Sequence, residues 1–388
     1  MLAKKPPMGF NTWNTFAENI NEDVIKEIAD AMVEKGLLDA GYEYLVIDDC
    51  WSEKQRDPET GKIIPDHIKF PNGMKAVSDY VHSKGLKFGM YSCAGTRTCA
   101  DYPGSFDHEF LDAETFAEYG ADFLKYDYCY RPAHHHGDLL YRKMGMALKA
   151  CGREILFSAC NWGCDDVHKW IRSTGAHMYR STGDIVDNFK SMKDICFSQF
   201  ENLAFSAPGC WNDIDMLTVG MFGKGNVGST GSTAVDYKTE FAIWCMYSAP
   251  LMLGGDIRTF DDEMMKLVTN KDLIRINQDE EGRPAFVTDS HIVCNIQGET
   301  VYTASRDDKK VFVKLLSDNE IAVLFANFSD DDRKVDFFFE DAGIPVASGY
   351  GLDMREVFTG EKLGVQKDML TRRIPAHGCE CYICTLSK

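Results

Sequence analysis

Phe123-Leu124-Lys125-Tyr126-Asp127 is the stretch that decides how the rest of the chain is interpreted. It is a short apolar run ending in a lysine and an aspartate, and it predicts a strand of a parallel sheet covered on both faces. Lys125 and Asp127 are two residues apart, so on an extended chain their side chains point to the same side. A nearby cation favours an ionised carboxyl group, as a nucleophilic aspartate requires. A structural ion pair is the alternative, because such pairs also shift pKa values.

Seven other short apolar runs alternate with amphipathic helical stretches along the chain, which is typical of βαβ units. The helix predicted over residues 22–35 carries apolar residues at helical spacing and ends at Gly36. Most of the eight runs end in polar or aromatic residues. The predicted strands are residues 8–13, 42–47, 87–91, 123–127, 155–160, 177–180, 210–217 and 251–253.

These runs predict an α/β fold, a (β/α)8 TIM barrel with its active site at the carboxyl ends of the strands. A doubly wound sheet is the alternative, but it seldom places polar residues at the ends of all its strands. Helical spacing stops near Ile276 and short strands follow, so we expect a C-terminal antiparallel β-sandwich domain. The predicted domains are a barrel over residues 1–280 and a sandwich over residues 281–388.

Net charge and the distribution of apolar residues limit which partners the protein can bind and where it is located. The chain has 388 residues and a formal net charge of -18, which argues against nucleic acid or an anionic membrane as a partner. The first residues lack the apolar region of a signal peptide, and no apolar stretch approaches the length of a membrane span. We therefore expect a cytoplasmic protein. The 14 cysteines are scattered, so most are expected to be buried thiols.

The predicted strand ends carry a carboxylate-rich cup with two cations. Such a cup could bind Mg²⁺ or Ca²⁺, recognise sugar hydroxyls, or pair two carboxylates for glycoside hydrolysis. Aromatic residues near the same ends favour a sugar, because its apolar face packs on rings. The charged residues are Asp48, Asp49, Lys125, Asp127, Arg180, Asp184 and Asp215, and the aromatic ones are Trp13, Trp51, Tyr91, Trp162 and Trp211.

Three other sequence features resemble functional motifs but are not interpreted as functional sites. Three consecutive histidines, 134–136, do not converge on one tetrahedral metal ion. Residues 223–228 fit a G-x-G-x-x-G pattern but have no acidic partner in a βαβ unit, so a mobile loop is the better interpretation. The cysteines at 379, 381 and 384 show no second ligand pair for zinc.

Taken together, these motifs resemble glycoside hydrolase family 27, the α-galactosidases and α-N-acetylgalactosaminidases. The resemblance covers the whole chain. Its motifs are Met8-Gly9-Phe10-Asn11-Thr12-Trp13, Ile47-Asp48-Asp49-Cys50-Trp51, Gly89-Met90-Tyr91, Lys125-Tyr126-Asp127, Arg180-Ser181-Thr182-Gly183-Asp184 and Trp211-Asn212-Asp213-Ile214-Asp215-Met216.

The resemblance implies a role for each candidate residue. Asp127 matches the nucleophile and Asp184 the general acid/base. Asp48, Asp49, Lys125 and Arg180 match residues that hold sugar hydroxyls, while Trp13, Tyr91 and Asp215 match residues that line the pocket. Asn161 and Trp162 lie on the loop that reads the substituent at carbon 2, where many galactosidases have Cys-Glu-Trp and this chain has Cys160-Asn161-Trp162. Cys99 and Cys129 match a pair that is disulfide-bonded in secreted members.

The resemblance further implies a retaining exo-glycosidase that removes terminal α-linked D-galactose by double displacement, without a metal or an organic cofactor. Asp127 then has to be ionised, which Lys125 favours, and Asp184 protonated through partial burial or repulsion from Asp127. The substrate is expected to be a small-molecule or oligosaccharide α-galactoside, and a homo-oligomer is left open. The alternatives are an α-N-acetylgalactosaminidase, a β-L-arabinopyranosidase, or a carbohydrate-binding barrel without catalysis.

Overall fold

The structure is a computed structural model that describes the backbone of residues 2–200, 205–294, 300–304 and 307–388. The chain forms two compact units, each assembled from three segments. The first contains Met1–Asp187, Pro208–Gly231 and Pro250–Met265, and the second contains Asn188–Ala207, Ser232–Ala249 and Lys266–Lys388. The domain boundary at residues 280 and 281 stays a prediction.

An eight-stranded parallel sheet forms the centre of the first unit. Its strand order is β7-β6-β5-β4-β3-β2-β1-β8, and Leu217, after β7, bridges Leu253 of β8, which joins the two ends of the sheet. The predicted (β/α)8 barrel is thereby confirmed. The strands are β1 (Met8–Asn11), β2 (Tyr44–Val46), β3 (Lys87–Cys93), β4 (Phe123–Asp127), β5 (Leu156–Ala159), β6 (Met178–Arg180), β7 (Trp211–Asp213) and β8 (Leu251–Leu253).

The interior of this barrel is filled by large apolar side chains from several strands, among them Tyr44, Phe123, Met178 and Trp211. Close approach of neighbouring strands requires glycine at Gly9, where a Cβ atom would lie 2.3 Å from the carbonyl oxygen of Tyr44. A packed interior of this kind leaves the strand ends as the place for a ligand.

The helices follow the predicted alternation. The second helix begins after Asn21, whose side chain accepts a hydrogen bond from the backbone of Val24, and the chain leaves it at Gly36, whose φ is 76°. The α-helices are α1 (Trp13–Phe16), α2 (Glu22–Glu34), α3 (Leu37–Ala40), α4 (Gly73–Ser83), α5 (Glu109–Tyr119), α6 (Gly137–Ala150), α7 (Phe189–Ser198), α8 (Ala234–Met246), α9 (Asp262–Val268) and α10 (Lys271–Asn277). Within the described residues, no helix has the length and apolar character needed to cross a bilayer.

Short 3-10 helices connect some of these elements. They are Cys164–Lys169, Ile171–Thr174, Ile257–Thr259, Ser317–Asn319, Phe339–Ala342 and Val346–Ser348.

The second unit carries antiparallel strands, which confirms the predicted C-terminal β-domain. A six-stranded sheet has the order β16-β15-β18-β13-β12-β9, and β14 pairs with β17, as β10 does with β11. Val323, Phe325, Phe337 and Tyr382 belong to its apolar core. The strands are β9 (Phe286–Val287), β10 (Ser290–Cys294), β11 (Thr300–Ala304), β12 (Lys309–Leu315), β13 (Glu320–Asn327), β14 (Arg333–Phe338), β15 (Gly351–Glu356), β16 (Lys362–Gln366), β17 (Met369–Ile374) and β18 (Cys379–Ser387).

Candidate active site

A cavity lies at the carboxyl ends of the barrel strands. Every predicted site residue except Asn161 lines it, so the tertiary structure gathers side chains that are up to about 200 positions apart in sequence. The lining residues are Trp13, Asn14, Asp48, Asp49, Tyr91, Cys99, Lys125, Asp127, Trp162, Arg180, Asp184, Asp215, Met216 and Val227.

Asp48, just after β2, is a buried carboxylate held by two side-chain donors. Its Oδ2 atom accepts hydrogen bonds from Lys125 Nζ at 2.6 Å and from Asn11 Nδ2 at 2.8 Å. Only 3% of the Asp48 side chain and 13% of the Lys125 side chain are exposed. Lys125 is therefore paired with Asp48 rather than with Asp127, which differs from the pairing expected along β4.

Asp49 is held by backbone donors from two segments. Its Oδ1 accepts from the N–H of Cys50 at 2.7 Å, and its Oδ2 accepts from the N–H of Ala100 at 3.0 Å. Burial raises the pKa of Asp49 above its ordinary value. Cys50 has a φ of 71°, a backbone strain that turns the chain sharply after the aspartate pair.

Asp127, the last residue of β4, is buried and points at the same cavity. Tyr91 donates its hydroxyl to Oδ2 at 3.0 Å, and the N–H of Tyr128 donates to Oδ1 at 2.9 Å. Burial raises the pKa of Asp127 to about 6, and the charge of Lys125 opposes this rise only in part. Lys125 thus favours the ionised form, as expected, although desolvation outweighs it and leaves the pKa above its ordinary value.

Arg180, the last residue of β6, joins two other carboxylates. Its Nη2 lies 2.7 Å from Asp184 Oδ1 and 2.8 Å from Asp215 Oδ2. Asp215 has a φ of 93°, and its carboxylate also accepts from the N–H groups of Ile185 at 2.7 Å and Met216 at 2.6 Å. The predicted strand over residues 210–217 accordingly ends early, at Asp213, because the chain turns to place this carboxylate.

Asp184 differs from the other carboxylates in its exposure. Its side chain is 75% exposed, whereas those of Arg180 and Asp215 are 4% and 3% exposed. Partial desolvation acts to raise the pKa of Asp184, but the charge and hydrogen bond of Arg180 outweigh it, so the pKa lies below its ordinary value. In this state Asp184 is ionised, contrary to the expectation that burial or Asp127 keeps it protonated.

The loop after β5 brings only one of its two candidate residues to the cavity. Trp162 lines the cavity and has a φ of 60°. Asn161 is fully buried, and its Nδ2 donates to the carbonyl oxygen of Cys164 at 2.8 Å, while its Oδ1 has no hydrogen-bond partner among the described residues. Asn161 was predicted to contact substrate, and the structure does not place it in the lining.

Four lining residues were not among the predicted ones: Asn14, Cys99, Met216 and Val227. Met216 directly follows Asp215, so proximity to a strand end was its signal. Val227 belongs to the glycine-rich stretch over residues 223–228, well beyond the end of β7, and no sequence signal pointed to it. Two aromatic residues of the predicted cup lie elsewhere. Trp211 packs inside the barrel, and Trp51 is buried, donating its indole N–H to the carbonyl oxygen of Tyr91 at 2.9 Å.

Cys99 and Cys129 are disulfide-bonded. Their sulfur atoms and a carboxylate oxygen of Asp127 all lie within 4.8 Å of one another. These atoms would suit a soft metal ion only if the thiols were free, since a disulfide sulfur is not a thiolate ligand. Among the described residues, Glu53, Asp66 and His67 form the other three-residue group with such spacing, and Glu53 and His67 already pair at 2.5 Å.

Sequence and structure comparisons give one family. Two family models match: α-galactosidase A over residues 5–279, and the α-galactosidase C-terminal β-sandwich domain over residues 306–383. An α-galactosidase of Cyamopsis tetragonoloba is 41% identical over 385 residues, covering 99% of this chain and 87% of that relative.

Solved structures of α-galactosidases have the same fold as this chain. A Bacteroides fragilis protein described as a candidate α-galactosidase/melibiase superposes with a TM-score of 0.89 at 37% identity, covering 99% of this chain and 80% of that one. The α-galactosidase of Saccharomyces cerevisiae, solved with raffinose, superposes with a TM-score of 0.85 at 26% identity, covering 100% of this chain and 98% of that one.

Proposed function

The chain belongs to the α-galactosidase family, glycoside hydrolase family 27, and from that premise we propose that it hydrolyses terminal α-linked D-galactose with retention of configuration. The observation that carries the proposal is the convergence of Asp127 and Asp184 on one cavity, in which Asp48 is ion-paired with Lys125 and Asp215 with Arg180. Glycoside hydrolysis by this route needs two carboxyl groups on either side of the scissile bond.

Asp127 is the nucleophile in this proposal. With a pKa of about 6 it is mostly ionised at neutral pH. Tyr91 and the N–H of Tyr128 each hold one of its oxygens, which fixes the direction of attack. Its carboxylate attacks the anomeric carbon, the bond to the leaving oxygen breaks, and a covalent galactosyl ester forms.

Asp184 is the acid and then the base. In the first step it gives its proton to the leaving oxygen, and in the second it takes a proton from the water that cleaves the ester. Arg180 keeps it ionised in the free protein. A bound galactoside excludes water from an exposed carboxylate and thereby raises its pKa, so we expect substrate binding to be accompanied by uptake of a proton at Asp184.

Recognition of the sugar is assigned to the remaining charged residues. Galactose differs from glucose by an axial hydroxyl at carbon 4, and buried carboxylates committed to that hydroxyl reject the epimer because they would be left unpaired. We assign the hydroxyls at carbons 4 and 6 to Asp48 and Asp49. Lys125, Arg180 and Asp215 complete the polar lining, and Trp13 and Trp162 supply rings for the apolar face of the sugar.

Hydrolysis of three p-nitrophenyl glycosides tests the proposal. We expect kcat/KM for the α-galactoside to exceed that for the α-N-acetylgalactosaminide and the β-L-arabinopyranoside at least tenfold, about 1.4 kcal/mol in transition-state binding. A preference for either of the other two would replace galactose as the substrate. Binding of galactose without any hydrolysis would indicate a carbohydrate-binding barrel. Proton NMR of the first released sugar shows α-galactose if configuration is retained.

The substrate class and the location extend the same proposal. The yeast relative was solved with raffinose, and we propose small or oligosaccharide α-galactosides as substrates here. We also propose that the protein is cytoplasmic, as the sequence predicts, and cell fractionation tests this directly.

A further inference from the structure

A second cavity lies at the opposite ends of the barrel strands from the proposed catalytic cavity. It has a volume of about 500 Å³ and is here called the α6 cavity. Its lining includes Leu2, Arg142, Met146, Lys149, Thr174 and His177. His177 directly precedes β6, whose last residue is Arg180. Among the described residues the two cavities share no lining residue, so a ligand of the α6 cavity would not meet the residues proposed to hydrolyse galactosides.

One face of α6 forms a wall of this cavity. Arg142, Met146 and Lys149 are four and three residues apart, so their side chains lie along the same side of the helix. Gly145 also belongs to the lining, and a Cβ atom there would lie 1.9 Å from the carbonyl oxygen of Thr174. Because Gly145 has no side chain, the short helix that ends at Thr174 can pack directly against α6 and close one side of the cavity.

The lining offers apolar surface to a ligand. Met146 is 56% exposed, while the lining residues Leu148, Ile155 and Phe157 are almost fully buried. Binding sites for small organic molecules are concave, mainly apolar and roughly 300–1,000 Å³ in volume, which this cavity matches. The thioether of Met146 favours an aromatic ligand, because sulfur–aromatic contacts are stabilising.

Two cations of this lining are not engaged by other side chains. Arg142 and Lys149 are exposed, and within the described part of the chain neither side chain takes part in an ion pair or a hydrogen bond. Arg153, by contrast, pairs with Asp122 at 2.5 Å. Glu154 is the one carboxylate among the described lining residues. The lining therefore keeps one positive charge in excess, in a chain whose formal net charge is -18.

His177 adds a neutral hydrogen-bond donor to these cations. Its Nδ1 accepts from the N–H of Phe157 at 2.9 Å, so Nε2 carries the proton of the neutral ring. Burial lowers the pKa of His177 below its ordinary value, which favours the neutral ring. No described residue accepts a hydrogen bond from Nε2. Arg142, Lys149 and His177 thus present donors, and such a set suits a ligand group that only accepts, such as a carboxylate.

We propose that the α6 cavity binds an aryl carboxylate, with the carboxylate between Arg142 and Lys149 and the ring against Met146. The two cations are seven residues apart, about 10 Å along the helix axis, and their side chains are long enough to meet one carboxylate from either side. The site is separate from galactoside hydrolysis and does not depend on it.

Binding of 2-naphthoate to the full chain, measured by isothermal titration calorimetry, tests the proposal. The matched ligand is 2-naphthamide, which has nearly the same shape and no charge. We expect one saturable site for 2-naphthoate, with an affinity about tenfold or more above that for 2-naphthamide, because hydrogen bonds to a charged group are stronger. Added galactose should leave the affinity for 2-naphthoate unchanged.

Variants of exposed residues locate the site. The double variant Arg142→Gln/Lys149→Gln should bind 2-naphthoate about fivefold or more weakly and 2-naphthamide as before. Glu154→Gln removes the opposing carboxylate and should tighten binding of 2-naphthoate about twofold or more. The matched control is Lys266→Gln/Lys271→Gln, which removes two exposed cations of α9 and α10 that make no ion pair among the described residues. It should bind both ligands as the unmodified protein does.

The outcomes that overturn the proposal are distinct from these. It fails if 2-naphthoate shows no saturable binding or binds no more tightly than 2-naphthamide. It also fails if Arg142→Gln/Lys149→Gln binds 2-naphthoate as the unmodified protein does, or if galactose displaces 2-naphthoate, which would place the ligand in the proposed catalytic cavity. Circular dichroism shows that each variant is folded. None of these readouts uses galactoside hydrolysis, so failure of the proposed function would leave this proposal standing.

Discussion

Two carboxyl groups of the same cavity have pKa values displaced in opposite directions. Burial raises that of Asp127 to about 6, and Arg180 lowers that of Asp184 despite partial desolvation. This is the reverse of what a resting nucleophile and a resting acid would show. We interpret it as the state before substrate binds, since a sugar would cover Asp184 and leave the buried Asp127 in the same surroundings.

Replacement of Asp184 separates the acid from the nucleophile. For Asp184→Ala we expect a loss of about 100-fold to 10,000-fold in kcat/KM on methyl α-galactoside, whose leaving group needs a proton. On 2,4-dinitrophenyl α-galactoside, whose leaving group needs none, the loss should stay within about tenfold. Added azide should accelerate turnover of the aryl substrate and give α-galactosyl azide.

Asp127→Ala is the matched control for that experiment. It should lose turnover on both substrates, because no leaving group compensates for a missing nucleophile. Equal losses on the two substrates for Asp184→Ala would contradict its assignment as the acid/base.

The pH profile depends on the buried nucleophile. Because the ionised form of Asp127 attacks, kcat/KM should fall as the pH is lowered through about 6, the pKa that burial gives this group in the free protein. The charges that act most on it are Lys125 and Asp48. Tyr91→Phe removes a hydrogen bond that favours the ionised form, so the acidic limb should move to higher pH.

Tyr119→Phe is the control for the pH experiment, because its hydroxyl donates to the carbonyl oxygen of Ile63, away from the cavity. Its acidic limb should coincide with that of the unmodified protein. An acidic limb below pH 5 in the unmodified protein would argue against Asp127 as the group that titrates.

At the scale of elements, the barrel strands hold the functional residues in place, and most of these residues lie at the strand ends or in the loops that follow them. Asp127 and Arg180 end β4 and β6, whereas Asp48, Trp162 and Asp215 lie just beyond β2, β5 and β7. Parallel strands close into a barrel only when neighbours approach evenly, so the placement of all these residues depends on strand contacts far from the ligand.

Gly9→Ala tests that dependence. Its Cβ atom would lie 2.3 Å from the Tyr44 carbonyl oxygen, a backbone atom that can move only with β2. We expect a loss of about 3 kcal/mol or more in the free energy of unfolding, measured by urea denaturation. Gly36→Ala, where no atom lies within 4 Å and only a positive φ is strained, should cost about 1 kcal/mol. Equal losses would show that the strand contact does not limit stability.

At the scale of the whole molecule, the formal net charge of -18 opposes compactness through self-repulsion. Raising sodium chloride from about 0.02 M to about 0.5 M shortens the screening length several-fold, so we expect Tm to rise. A Tm that falls or stays constant in salt would show that local ion pairs outweigh net repulsion.

The location of the protein and the state of its disulfide are linked. Cytosolic thiols keep most disulfides reduced. If the proposed cytoplasmic location is right, we expect the bond between Cys99 and Cys129 to be open there. Alkylation of the protein in freshly lysed cells distinguishes the two states.

The sequence by itself determined the barrel, the C-terminal β-domain and most of the cavity lining. Apolar runs of strand length, separated by helices that stop at glycine, predict a barrel in which the polar strand ends meet, and the predicted bounds of β4 and β8 are those of the structure. Trp13, Asp48, Asp127 and Arg180 were predictable because residues at the ends of parallel barrel strands share one face.

Only the tertiary structure decided which partners these residues have. Lys125 pairs with Asp48 instead of Asp127, Asn161 turns away from the cavity, and Val227 enters it from a loop. The directions of the two pKa shifts were also decided by the tertiary structure. Burial raises the pKa of Asp127, and the charge of Arg180 lowers that of Asp184. Local sequence fixes which strand end a residue occupies. Side-chain direction, burial and cross-strand contacts arise only when the strands close into a barrel, since desolvation and ion pairing depend on distance in space.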